Sequence, residues 1–142
     1  MVGVIYTDGD CAEWTFPAEP DAVRNARHAV RDALGAWGLL DTVGDVTVLL
    51  VSELVTNSLR YASGPIGVRL VRPDTDGDPA GARAVLVVEV SDPLPDPPLT
   101  RVADADDEGG RGLQLVARSA QRWGTRRGRT GKTVWFELAL PG

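Results

Sequence analysis

The sequence predicts an α+β fold: a two-layer α/β sandwich with helices on one face of a mostly antiparallel sheet. Three observations carry that prediction. Strand-like runs stand near the start, in the middle and at the end of the chain, two helical periods fall together in the first half, and a third helix precedes the last pair of strands. The resulting order is β-α-α-β-β, a long unpatterned connection, then α-β-β. No internal repeat and no interdomain linker interrupts it, so residues 1–142 read as one domain.

Residues 1–10 are weakly patterned and read as a loosely held end. Ala12 to Phe16 alternates, contains Trp14 and Phe16, and stops at Pro17, which fits a strand. Pro20 and Asp21 open a helix, since proline suits a first turn and an acid suits the dipole there. Val23, Ala26, Val30, Leu34 and Trp37 form its apolar face, and Gly38 is its stop. Arg24, Arg27, Arg31 and Asp32 fall on the solvent side together with His28, the only histidine. A second helix runs from about Asp45 to Tyr61. Val46, Leu49, Leu50, Leu54 and Leu59 recur every three or four residues, and Val48, Val51 and Val55 fill a second stripe. A helix apolar on most sides is packed on more than one of them, so this one is expected at the centre.

Ile66 to Val71 alternates as a strand, and 73–79 is a polar turn-rich connection. That connection lacks the glutamate of an EF-hand loop and is flanked by prolines, so it reads as a solvated hairpin loop. Ala84 to Val90 is apolar and largely β-branched, as in a buried strand, and ends at Ser91-Asp92. Pro93 to Glu108 shows no periodicity; connections of this length are usually functional lids or disordered segments. Its acidic run, Asp104 to Glu108, reads as solvated. Leu113 to Ala120 is helical, and Trp123–Arg127 with Lys132–Leu140 form a terminal hairpin whose arginine-rich turn keeps that edge soluble.

Hydrophobic residues make up 43% and charged residues 25%, ordinary values for a soluble globular chain. The net charge of −5 argues against duplex nucleic acid or an anionic membrane as main partner. Cys11 is the single cysteine, which excludes an intrachain disulfide and a cysteine zinc site. No early basic-plus-apolar run looks like a signal peptide, and no apolar run approaches about 20 residues, so the expected location is cytoplasmic.

Two features point to chemistry. Glu53 and Asn57 interrupt the apolar central helix four residues apart, hence on one face and one turn apart. Either they are buried and must be bonded, charge-paired or metal-bound, or they lie on a strip facing water. Gly109, Gly110 and Gly112 open the third helix, where bare N–H groups and the dipole favour phosphate. By itself that signal is weak. Leu115 stands where a dinucleotide fingerprint needs its third glycine, and a long acidic loop precedes it instead of a strand. Gly131-Lys132-Thr133 is no P-loop: Arg126 stands where the first glycine belongs, and a strand follows where a helix is required.

Together, Glu53-Leu54-Val55-Thr56-Asn57-Ser58 on a helix, Asp92 ending a strand, a lid, and Gly109-Gly110-Arg111-Gly112-Leu113 resemble the GHKL ATP-binding superfamily, the Bergerat or histidine kinase-like ATPase fold. The closest likeness is to bacterial anti-sigma-factor serine kinases and their actinobacterial ATP-binding relatives. It covers roughly Trp14 to Leu140, and the closing Lys132 to Leu138 is similar to the last strand of such proteins. The resemblance implies Mg2+ and ATP as ligands, with Asn57 on the metal and Glu53 as the base that accepts a hydroxyl proton. It implies that Asp92 takes the adenine amino group, that Thr133 supports the adenine end, and that Gly109, Gly110, Gly112 and Leu113 close on the phosphates beneath an ATP lid over 93–109. It further implies a serine/threonine-protein kinase acting on an antagonist protein, a sequestered sigma factor or similar partner, and a homodimer as the common oligomer.

Two departures from the family pattern stand out. The expected Asp-x-Gly-x-Gly is here Asp92-Pro93-Leu94-Pro95-Asp96, with Pro97 and Pro98 following, and Tyr61 replaces a histidine often found after the first motif. Prolines fix φ and remove N–H donors, so this wall of the pocket is expected to be stiffer and poorer in donors. The alternative function is therefore a non-catalytic interaction module on the same fold. A histidine kinase fragment would need a separate histidine-bearing dimerisation partner, and a GHL-type ATPase would need a second domain after Leu140.

Overall fold

The computed structural model describes residues 10–61, 64–73, 84–93, 108–128 and 131–140. Five strands form one sheet: β1 (Asp10–Phe16), β2 (Ile66–Arg72), β3 (Val85–Asp92), β4 (Arg122–Gly128) and β5 (Gly131–Ala139). Their order is β1-β2-β3-β5-β4, and every neighbouring pair is antiparallel. The helices are α1 (Ala22–Ala36), α2 (Asp45–Tyr61) and α3 (Glu108–Ser119), with a π-helical turn at Leu40–Gly44 leading into α2. This is the α+β architecture expected, with β1 and β4 as the sheet edges.

One face of the sheet carries the core. Trp14 and Phe16, Ile66, Val68 and Leu70, Leu86, Val88 and Val90, and Val134, Phe136 and Leu138 alternate into it, strand by strand, and all are buried. Their neighbours in each strand point to the other face, which no described helix covers. Burying each such side chain is worth about 1.5–3 kcal/mol. β1 starts at Asp10, whose backbone pairs with Arg72, so strand order reaches into the stretch expected to be loose. Residues 1–9, the 74–79 part of the polar connection and most of the expected lid, 94–107, lie outside the described residues. Glu108 and Gly109, expected at the lid's end, are already helical.

Asp21 is the N-cap of α1 but makes no side-chain cap bond, and Pro20 lies in the turn before it, not in the first helical turn. The other end is a Schellman close: Leu39 N–H donates to Leu34 O at 2.8 Å and Gly38 N–H to Gly35 O at 3.2 Å. Gly38 takes φ 73°, a left-handed value that costs a side-chain-bearing residue more. Ala22, Ala26, Val30, Ala33 and Leu34 are the buried face of α1, while Val23 and Trp37 are only partly buried. His28 is exposed, as its place in the period requires.

α2 packs against α1, α3 and the sheet, the central position its stripes predict. Leu49 departs from them and is 46% exposed, because the buried arc is filled by Val48, Leu50, Val51, Leu54 and Val55. Inside this apolar helix, Thr47 Oγ1 donates to Val43 O (2.6 Å) and Thr56 Oγ1 to Ser52 O (2.7 Å), which satisfies both hydroxyls locally. With the π-turn, Leu40–Arg60 is long and apolar enough to cross a membrane by length and composition, beyond what the sequence alone suggests. Its packing between two helices and a sheet gives that composition a different cause.

Candidate functional site

α2 and the end of β3 meet at one hydrogen bond. Ser58 faces the sheet because it continues the buried stripe through Val51, Leu54 and Val55, and its Oγ donates to Asp92 Oδ2 at 2.8 Å. Both residues are buried. The other carboxylate oxygen, Asp92 Oδ1, is shielded from solvent and has no hydrogen-bond partner among the described residues. An unpaired buried acceptor costs about 1–3 kcal/mol, more for a charged group, so its retention needs a reason. A ligand donor is the simplest one.

The backbone around Asp92 is fixed closely. Asp92 pairs with Lys132, and a Cβ on the next residue back in β5, Gly131, would overlap the Asp92 carbonyl. A Cβ on Gly64, just after α2, would overlap the Pro93 ring. Pro93 is therefore seated between the α2–β2 connection and the start of β5, and glycine is needed on both sides for close approach.

Glu53 and Asn57 lie one turn apart on α2, both half-buried, at the margin between its packed arc and its exposed side. Their setting is intermediate between the two that the sequence left open. Asn57 directly precedes Ser58 on α2, about 100° round the helix from it. α3 packs against α2, and Gly109, Gly110 and Gly112 fall in its opening turns, where the first four N–H groups have no partner within the helix. Leu113 is half-buried and packs against the core, so its side chain serves the fold. Among the described residues no three His, Cys, Asp or Glu side chains gather to hold a metal. A Mg2+ here would rest on Asn57 and on phosphate oxygens, as Mg2+ sites with few protein ligands do.

Thr133 lines one pocket with Asp92, but its hydroxyl turns to a different partner. It pairs with Ser91, and its Oγ1 lies 2.8 Å from Ser91 Oγ on the uncovered face of the sheet. Strand alternation explains this: residues 91 and 133 point one way, residues 92 and 132 the other. The neighbour of Asp92 on its own face is Lys132, which sequence reasoning passed over along with Ser58. Ser58 had a readable signal, a hydroxyl standing where the buried stripe continues. Lys132 did not, because its face depends on cross-strand register.

The chain matches the family model described as histidine kinase-like ATPase domain over residues 16–138, nearly the whole of the described fold. It belongs to that family. No curated protein matches the chain. For a GHKL-type, histidine kinase-like ATPase domain, membership implies ATP as ligand, and the orphaned Oδ1 fits it: an exocyclic amino group would supply the missing donor. The five-stranded antiparallel sheet with its helices on one face agrees with the family's fold.

Proposed function

We propose that this histidine kinase-like ATPase domain binds Mg-ATP with its adenine at Asp92 and works as an anti-sigma-factor-like regulator. In that reading it transfers the terminal phosphoryl group of ATP to a serine of an antagonist protein and sequesters a sigma factor or comparable partner. The observation that carries the nucleotide part is the Asp92 carboxylate, pinned through one oxygen by Ser58 and left with a single buried acceptor. The kinase and sigma-factor parts are supported by the resemblance of Glu53 to Ser58 and Gly109 to Leu113 to such regulators.

Each residue has a defined task. Asp92 accepts the adenine amino group, and Ser58 holds its orientation. Asn57 ligates Mg2+, whose charge when bound offsets that of the phosphates. The opening N–H groups of α3, freed of side chains at Gly109, Gly110 and Gly112, face phosphate oxygens. Glu53 accepts the proton leaving the serine hydroxyl as its oxygen bonds to phosphorus and the bond to ADP breaks. Such base assistance is worth about 10²–10⁴-fold in rate.

Calorimetric titration with ATP, with and without Mg2+, tests the nucleotide part. Asp92→Asn should weaken binding about 10–100-fold, the worth of a hydrogen bond to a charged group. Asn57→Ala should remove the gain from Mg2+. Equal affinity in the wild type and Asp92→Asn would sink the assignment. Transfer of label from γ-labelled ATP to a serine-bearing antagonist, lost in Glu53→Gln, tests the kinase part. One observation favours the second reading, a non-catalytic interaction module: Pro93, packed against Gly64, stiffens the wall where the family has glycines. ATP binding with no transfer to any antagonist is its signature.

A further inference from the structure

The cross-strand row that holds Asp92 continues in two cations. Asp92 is opposite Lys132 on β5, and Lys132 is opposite Arg127 on β4, so the three share the helix face at the ends of their strands. Strands lie about 4.8 Å apart, which puts Lys132 one spacing and Arg127 two spacings from Asp92. All three line one pocket of about 540 Å³ together with Pro93. Lys132 is half-buried and Arg127 exposed, and among the described residues neither side chain forms an ion pair or hydrogen bond. The third cation of the lining, Arg126, points to the other face and is held by Glu89 at 2.6 Å. Asp92 is no partner for Lys132 either: its Oδ2 is engaged by Ser58 and its Oδ1 is unpaired. An unpaired acceptor and two unpaired cations in one row fit a ligand that carries a donor at one end and negative charge at the other.

The chain also directs α3 to this end of the sheet. Only Ala120 and Gln121 separate α3 from β4, and the two elements pack together, so α3 runs back along β4. Its 12 residues span about 18 Å and the seven of β4 about 23 Å, so the opening turn of α3 lies toward Arg127 and not toward Arg122. We propose that Lys132 and Arg127 bind the phosphates of the nucleotide from the sheet side, opposite the opening N–H groups of α3. The proposal rests on the reading that places adenine at Asp92, and it narrows the ligand to a nucleoside polyphosphate, since a bare nucleoside leaves both cations unused. Lysine supplies a point charge with three donors, and arginine a planar fork that takes two oxygens at once. The two cations also offset a loss particular to this chain. Pro93, Pro95, Pro97 and Pro98 bring no N–H groups, so backbone donors missing from that stretch are replaced by side-chain donors across the same pocket.

Calorimetric titration of the full chain with ATP, ADP and adenosine, without Mg2+ and at low salt, tests the proposal. Lys132→Gln should weaken ATP binding about tenfold, and Arg127→Gln at least about threefold because solvent screens an exposed guanidinium. Adenosine affinity should stay unchanged in both, with circular dichroism and melting native-like. Arg24→Gln, exposed on α1, should change neither ligand. In the wild type, ATP affinity should fall as NaCl rises from about 0.05 to 0.5 M while adenosine affinity holds, a readout that needs no variant. The proposal is overturned if ATP affinity is indifferent to both variants, if ATP and adenosine weaken equally, or if ATP binding does not respond to salt. Loss of ATP binding in Asp92→Asn together with indifference to both cation variants overturns this proposal and leaves the adenine assignment standing. Indifference of ATP to Asp92→Asn overturns the adenine assignment, and this proposal with it.

Discussion

The two faces of the sheet at the strand ends solve opposite problems with neighbouring residues. On the helix face, Asp92 is buried, bonded through one oxygen to Ser58 and left with the other unsatisfied. One residue away, on the other face, Ser91 and Thr133 satisfy each other at 2.8 Å, with Arg126 next in the same cross-strand row. The first face holds back an acceptor that only a ligand can complete. The second is already satisfied, its hydroxyls by each other and Arg126 by Glu89. A small-molecule site is built from a cost carried inside the fold, whereas a satisfied face carries none. Alternation along two adjacent strands is enough to produce both.

The comparison breaks most severely at β5, where Phe136 and Trp135 stand on opposite faces. Phe136 is fully buried against the helices, and Phe136→Ala should cost about 3–5 kcal/mol in urea unfolding. Trp135 lies on the uncovered face with its indole over Gly124, where an added Cβ would come within 2.9 Å of Nε1. Trp135→Ala should therefore cost clearly less than Phe136→Ala despite the larger side chain. Equal losses would mean that the uncovered face is buried in solution by something else, such as a second copy.

Gly131 gives a smaller but more pointed effect, because it touches both faces through backbone. An alanine there drives its Cβ into the Asp92 carbonyl, and the overpacking should cost about 1–3 kcal/mol. Since the displaced strand end carries Asp92, ATP affinity should fall with it. Gly67→Ala, whose Cβ meets only ordinary contacts, is the matched control and should leave ATP affinity unchanged. A Gly131→Ala protein that keeps its ATP affinity would show that the Asp92 carboxylate is held independently of the β5 backbone.

How much of this was legible in the sequence follows from the range of the physics involved. The helices and strands are local matters of period and stop signals, and α2, the hairpins and Gly38 were readable from them. Asp92, Glu53 and Asn57 could be named because their spacing and order resemble a family. Ser58 and Lys132 were missed, and Thr133, assigned to the adenine end, lines one pocket with Asp92 while its hydroxyl meets Ser91. Which way residue 133 points depends on its register against residue 91, 42 positions away in the chain, and a shift by one residue would exchange the faces. The cationic cavity is likewise invisible along the chain: Thr15, Gly67, Ser91 and Arg126 come from four strands and have no sequence motif in common.

The smallest effect concerns the charges that decorate the uncovered face. Arg122 Nη1 lies 3.8 Å from Glu137 Oε1, and its guanidinium stands 6.0 Å from the Trp135 ring. With 70% of the Arg122 side chain exposed, solvent screens the pair, and Arg122→Ala should change unfolding free energy by no more than about 1 kcal/mol. Arg126 and Arg69 flank Glu89 at 2.6 and 3.4 Å, and the hydrogen bond from Arg69 to Cys11, ahead of its contact with Glu89, raises the Arg69 pKa. Arg126→Ala should accordingly cost more than Arg122→Ala at low salt, and the difference should shrink as salt is raised to about 1 M, where the screening length is about 3 Å. Measured by urea unfolding at both salts, that narrowing would show that the arginines of β4 contribute little to the fold.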